Sequence, residues 1–168
     1  TRIRFVPNAD WNGVATISYK AWDRTSGVAG GTGDATTSGG TTTFSTNTSG
    51  TSKWVSAVND APTALASSVS LASVAEDTAN PPGATVSSLF SSTFSDAKDQ
   101  VSGGSSANNF GGIAIVANSA NDTQGKWRWY NGSSWVDVGT SVSTSSALLL
   151  SSSTLLRFEP GANFSGTP

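Results

Sequence analysis

The chain reads as an all-β protein. Serine and threonine fill 30 and 21 of its 168 positions, apolar and polar residues alternate over short runs, and Gly, Asn, Asp and Pro interrupt those runs at close intervals. Hydroxyl-rich, alternating sequence suits a half-buried pleated surface, and the interrupting residues suit the turns between strands. A hydrophobic share of 36% supports a core without making it a rich one, and the length fits one ordinary domain or two small ones.

Taken in order, residues 2–6 and 14–22 predict a hairpin around a turn at 7–13, with Ala15, Ile17, Tyr19 and Ala21 on one face and Thr16, Ser18 and Lys20 on the other. Residues 24–52 are Gly-, Thr- and Ser-rich and too long for an ordinary loop; a short edge strand is expected around Phe44. Residues 53–58 read as a strand. Pro62 then forces Ala61 out of the helical region and ends the ladder, so 59–62 is read as a linker between a domain at 1–58 and another at 63–168.

In the second domain, strands are expected at 64–71, at Val74 and at 83–90, followed by a polar connection over 94–109 with a turn of helix. Residues 110–118 predict a strand with Ile113, Ile115 and Ala117 inward. Residues 125–138 predict a hairpin around Asn131-Gly132, a pair that accepts the positive φ angles of a tight turn. Short apolar strands are expected at 147–150 and 155–158.

One motif occurs twice. Arg2-Ile-Arg-Phe-Val-Pro-Asn-Ala-Asp-Trp-Asn-Gly13 is echoed by Leu155-Leu-Arg-Phe-Glu-Pro-Gly-Ala-Asn-Phe-Ser-Gly166, at a constant offset of 153 residues from Arg4 to Arg157 and from Gly13 to Gly166. The sequence therefore looks like one period of a tandem array plus a short overlap, out of register with its domain boundaries and lacking the last strands of the second domain. Arrays of this kind serve reach, spacing and display rather than chemistry.

Composition narrows the function further. Nine basic against eleven acidic residues give a formal charge of -2, which leaves no basic footprint for nucleic acid. No run of 18 apolar residues and no signal peptide stand in the sequence, so membrane insertion of this segment is not expected. Cysteine and histidine are both absent, which removes disulfides, thiol catalysis, the usual zinc sites and any imidazole triad. Carboxylate pairs such as Asp96/Asp99 and Asp122/Asp137 carry no glycosidase spacing signature, and no enzyme is expected.

Residues 15–23, followed by Ser52-Lys-Trp-Val-Ser-Ala-Val-Asn-Asp-Ala-Pro62, resemble the last two strands and linker of a cadherin-like domain, and Glu76-Asp77-Thr78 resembles the family's early acidic pair. The phrase Phe5-Val-Pro-Asn-Ala-Asp-Trp-Asn-Gly13 is similar to one in the tandem cadherin-like repeats of giant bacterial surface adhesins, often secreted by type I systems. The resemblance implies Ig/cadherin-like β-sandwiches of about seven strands, strung as beads outside the cell with calcium at their junctions. Carried over, Asp23, Asn59, Asp60, Glu76, Asp96 and Asp99 are the implied calcium ligands. Asp96 and Asp99 depart from the pattern in standing three apart rather than two.

The same acidic residues also suit a plain structural role, capping turns through backbone amides. Asp10 is replaced by Asn163 in the second copy, which favours capping there. Trp127, Trp129 and Trp135 define an alternative, a carbohydrate-binding face that stacks on sugar rings. Trp127 and Trp129 share a strand face by period 2, which favours core or cross-strand packing over a binding platform for that pair. The expected function is a structural and adhesive repeat of an extracellular bacterial surface or filament protein that assembles head to tail with identical or homologous units, with cell-surface glycans as further partners.

Overall fold

A computed structural model describes residues 2–66 and 68–168. Its regular structure is mostly strand, with one short α-helix among the described residues. Two compact units divide the chain: the first runs to Asp60 and takes in Lys98–Ala107, and the second consists of Ala61–Ala97 and Asn108–Pro168. The division falls within the expected linker, but Lys98–Ala107, placed by sequence in the second domain, belongs to the first unit.

The first unit is built on β1 (Gly13–Tyr19) and β2 (Ser49–Val55), antiparallel from Gly13 opposite Val55 to Tyr19 opposite Ser49. This corrects the expected hairpin of 2–6 with 14–22: residues 2–6 form no strand, and β1 takes β2 as its partner. The connection at 7–13 exceeds the usual hairpin loop of two to five residues and opens on a proline that has no amide to give a ladder. The expected strand near Phe44 is a single bridge between Trp22 and Phe44, held by amides of Asp23 to the Thr43 carbonyl and of Ser45 to the Ala21 carbonyl.

Lys98–Ala107 joins this unit through polar groups. The Asn12 amide donates to Ser105 Oγ (2.8 Å) and accepts from the Ser105 N–H (2.7 Å). Ser105 Oγ donates to the Asp99 carbonyl, and Asp99 Oδ1 accepts the Asp60 N–H at 3.0 Å. Asn12 and Asp99 are buried, and buried polar groups need such partners.

The second unit holds the core. A four-stranded antiparallel sheet runs in the order β4 (Ala84–Thr85), β10 (Leu155–Pro160), β7 (Gly125–Tyr130), β8 (Trp135–Asp137). Two smaller pairings accompany it: β3 (Thr63–Ala64) with β5 (Phe94–Ser95), and β6 (Gly112–Ile115) with β9 (Leu148–Ser151). Val86, Val138, Leu150 and Leu156 are buried together, with Ile113, Ile115, Trp127 and Trp129 packed against them.

The strand expected at 83–90 is corrected: after β4 the chain turns into α1 (Val86–Phe90). Thr85 caps it, its Oγ1 accepting the Ser88 N–H at 3.1 Å while Ser88 Oγ donates back to the Thr85 carbonyl. The strand expected over 64–71 shrinks to the two-residue β3, and Val74 is not in a strand; Ser67 lies outside the described residues. The hairpin at 125–138 is present, with a four-residue loop. Asn131 Oδ1 accepts the N–H groups of Ser133 and Ser134, and only Gly132 takes a positive φ, at 96°.

Strand register divides the sheet into two faces. Leu156, Trp129 and Val136 are mutually opposite and lie inward, with Phe158 and Trp127 beside them. The other face carries an ionic ladder: Lys126 and Arg128 on Asp137, Arg128 on Glu159, and Glu159 on Arg157 at 3.0 Å. The Arg157 guanidinium lies 4.1 Å from the Trp135 ring centre and donates to Asn80 and Pro81. A Cβ at Gly83 would meet that ring at 2.6 Å, so glycine there makes room for it. Truncating Leu156, 4% exposed, to alanine is expected to cost about 2–5 kcal/mol in urea unfolding, while Leu149→Ala at a 76% exposed position stays within about 0.5 kcal/mol; equal effects would contradict this core.

Candidate functional site

The two copies of the motif build the same turn. Asp10 and Asn163 take φ of 60° and 57°, a left-handed conformation that Asp and Asn tolerate, which explains their exchange. Gly13 and Gly166 follow with φ of 127° and 147°. The amide of Trp11 bonds to the Asn8 carbonyl as that of Phe164 bonds to Gly161. The rings of Phe5 and Trp11 meet edge to face at 5.3 Å, and those of Phe158 and Phe164 at 6.4 Å.

The segment that precedes each turn is treated oppositely. Residues 155–160 lie between β4 and β7, with Leu156 and Arg157 buried. Their counterparts at 2–6 are in no ladder, and Ile3 and Phe5 are 73% and 46% exposed. Arg4, the counterpart of Arg157, is exposed.

Apolar exposure is concentrated in the same unit. Of the twelve large hydrophobic residues exposed among the described residues, nine lie in the first unit, and none of the buried hydrophobic residues does. Ile17 and Tyr19 point to one face of β1, together with Ala15; Val14 shares the other face with its partner Trp54. A two-stranded sheet without a covered face is marginal on its own.

In the second unit an open cleft of about 760 Å³ lies beside the inward face of the sheet, lined by Val69, Leu71, Val74, Trp127, Phe158 and Phe164. Sequence reasoning missed it, because its walls come from three segments, 69–84, Trp127 and 158–168, that are far apart in the chain.

The implied calcium ligands do not form one donor set. Asp23, Asn59, Asp60 and Asp99 belong to the first unit, and Glu76 and Asp96 to the second. Among the described residues no three acidic side chains converge as a metal cluster. The Asn59 amide donates to the Asp60 carbonyl, Asp96 Oδ2 accepts the Asn108 N–H, and Glu76 is exposed. Asp60 and Asp99 are brought together through the bond already described. Trp127 and Trp129 face inward and Trp135 faces outward beneath Arg157, so the three rings share no flat surface.

No family model matches the chain, and neither curated proteins nor solved structures give a match. No described helix is long and apolar enough to cross a membrane.

Asp23 and Asp34 each organise a turn in the long loop. Asp23 Oδ1 accepts the Thr25 hydroxyl (2.7 Å), the Thr25 N–H (2.9 Å) and the Thr43 hydroxyl (2.8 Å); Asp34 Oδ1 accepts the hydroxyl and N–H of Thr36. The Thr25 and Thr36 hydroxyls, aided by those amides, hold the two carboxyls below their ordinary value of 3.8. A lowered folded pKa means that the turns gain from ionisation above the unfolded value and lose that gain as pH falls through the folded one. The Thr25 and Thr36 amide shifts are therefore expected to titrate with midpoints below 3.8. Asp23→Asn should abolish the Thr25 titration and keep the turn; a midpoint above 3.8 would contradict these bonds.

Proposed function

We propose that this chain is a structural repeat of an extended extracellular array, in which each unit completes its β-sheets with strands of the neighbouring repeat, in the manner of tandem cadherin-like sandwiches on bacterial surfaces. The observation that carries the reading is the single motif seen in two states, paired with β7 over 156–160 and with β4 at 155–156 in one copy and in no ladder at 2–6 in the other. In an array of period 153, residues 2–6 take the place of β10, and Arg4 takes the place of Arg157 over a tryptophan. The function is mechanical and adhesive: hydrogen-bonded strands resist extension, and repeat length sets spacing. The reading assigns no catalytic step.

Calcium enters this proposal only at Asp60 and Asp99. The contact between them is the Asp60 backbone N–H on Asp99 Oδ1, and two acidic residues at most supply a minority of the six to eight oxygens that calcium takes, which fits only the weak, millimolar class of extracellular sites. Calcium at ten times such a Kd should stabilise by about 1.4 kcal/mol, seen as a rise in Tm over the same sample in EGTA. Equal melting temperatures remove the ion and leave the strand account intact.

The array is tested with a tandem chain in which residues 1–153 precede residues 1–168. Amide exchange at 2–6 of the second copy should slow by roughly 100-fold or more relative to the single chain, and Arg4→Ala there should partly reverse it. Equally fast exchange in both chains would overturn the reading.

A further inference from the structure

We propose that the apolar cleft of the second unit receives the β1–β2 hairpin of a second copy of this chain, so that separate chains associate head to tail. The inference rests on the repeat reading above and adds to it a docking surface and its occupant.

The cleft and the hairpin lack complementary things. The cleft presents Val69, Leu71, Trp127 and Phe158 to an open space, and β1 presents Ile17 and Tyr19 on one face, 49% and 52% exposed. The repeat names which should meet which. Phe164 and Gly166 line one end of the cleft, and they are the counterparts of Trp11 and Gly13. Gly13 is the residue at which β1 starts. In the first copy a strand of β1 character follows this corner directly, and in the second copy the corner itself lines the cleft.

Charge agrees. Lys53 is the one charged residue of the hairpin strands and sits opposite Ala15, on the Ile17 face. Glu76 is the one charged residue lining the cleft. The outer edge of β1 also keeps unpaired backbone groups, which can extend a sheet in the receiving copy. Because hairpin and cleft are different surfaces, the contact is heterologous and builds an open series rather than a closed pair.

Sedimentation velocity on the full chain over a range of concentrations tests this. The natural sequence should form a concentration-dependent series, and Ile17→Asp or Leu71→Asp should each weaken association by tenfold or more. The two variants mixed should pair one to one and stop there, since Ile17→Asp retains an intact cleft and Leu71→Asp an intact hairpin. Tyr19→Ser serves as the milder hairpin variant if Ile17→Asp disturbs β1 by circular dichroism. A natural chain that remains monomeric, variants that associate unchanged, or a mixture that fails to pair would each overturn the docking. Monomeric chains combined with slowed exchange at 2–6 in the tandem chain would remove this inference alone and leave the array standing.

Discussion

Hydrophobic burial is distributed unequally along this chain, and the rest of the structure follows from where it is missing. Val86, Val138, Leu150 and Leu156 give the second unit a core, whereas the first unit buries Asn12 and Asp99 but no hydrophobic side chain among its described residues. Burial of apolar surface is the dominant favourable term in folding, and hydrogen bonds between strands contribute only modest net stability. The β1–β2 pair therefore draws little stability from burial in its own unit, and Ile17 and Tyr19 on one face and Trp54 on the other are exposed.

The paired copy of the motif shows what such cover looks like. In β10, Leu156 and Phe158 turn to the inner face, while Arg157 and Glu159 close the ionic ladder on the outer one. Arg157 is 6% exposed and is stabilised by Glu159, Asn80 and the face of Trp135 together, which is how a buried charge is tolerated. Arg4 carries the same chemistry without these partners.

Much of this was legible in the sequence, and the failures have physical causes. The β-rich character, the hairpin at 125–138 and the repeat itself follow from alternation, turn residues and a fixed offset, which are local or exact signals. The strand expected at 83–90 became a helix because Thr85 caps it and because Val86, Leu89 and Phe90 recur at helical spacing toward the core. The partner of β1 was misread because a strand's partner depends on chain closure across 25 or more intervening residues, which no local pattern encodes. Grouping of Lys98–Ala107 with the first unit depends on Asn12 meeting Ser105, a contact between residues 93 apart. For the candidate site, the correspondence of 2–6 with 155–159 was legible from the repeat, while the exposure of 2–6 and the cleft required the fold.

The central claim is that the first unit lacks stability of its own. Amide hydrogen exchange on the single chain, at dilution where it is monomeric, measures this directly. The account predicts that β7 and β10 exchange only through global opening of the second unit, while β1 and β2 exchange orders of magnitude faster through local opening. Equal protection of β1–β2 and β7–β10 would contradict it.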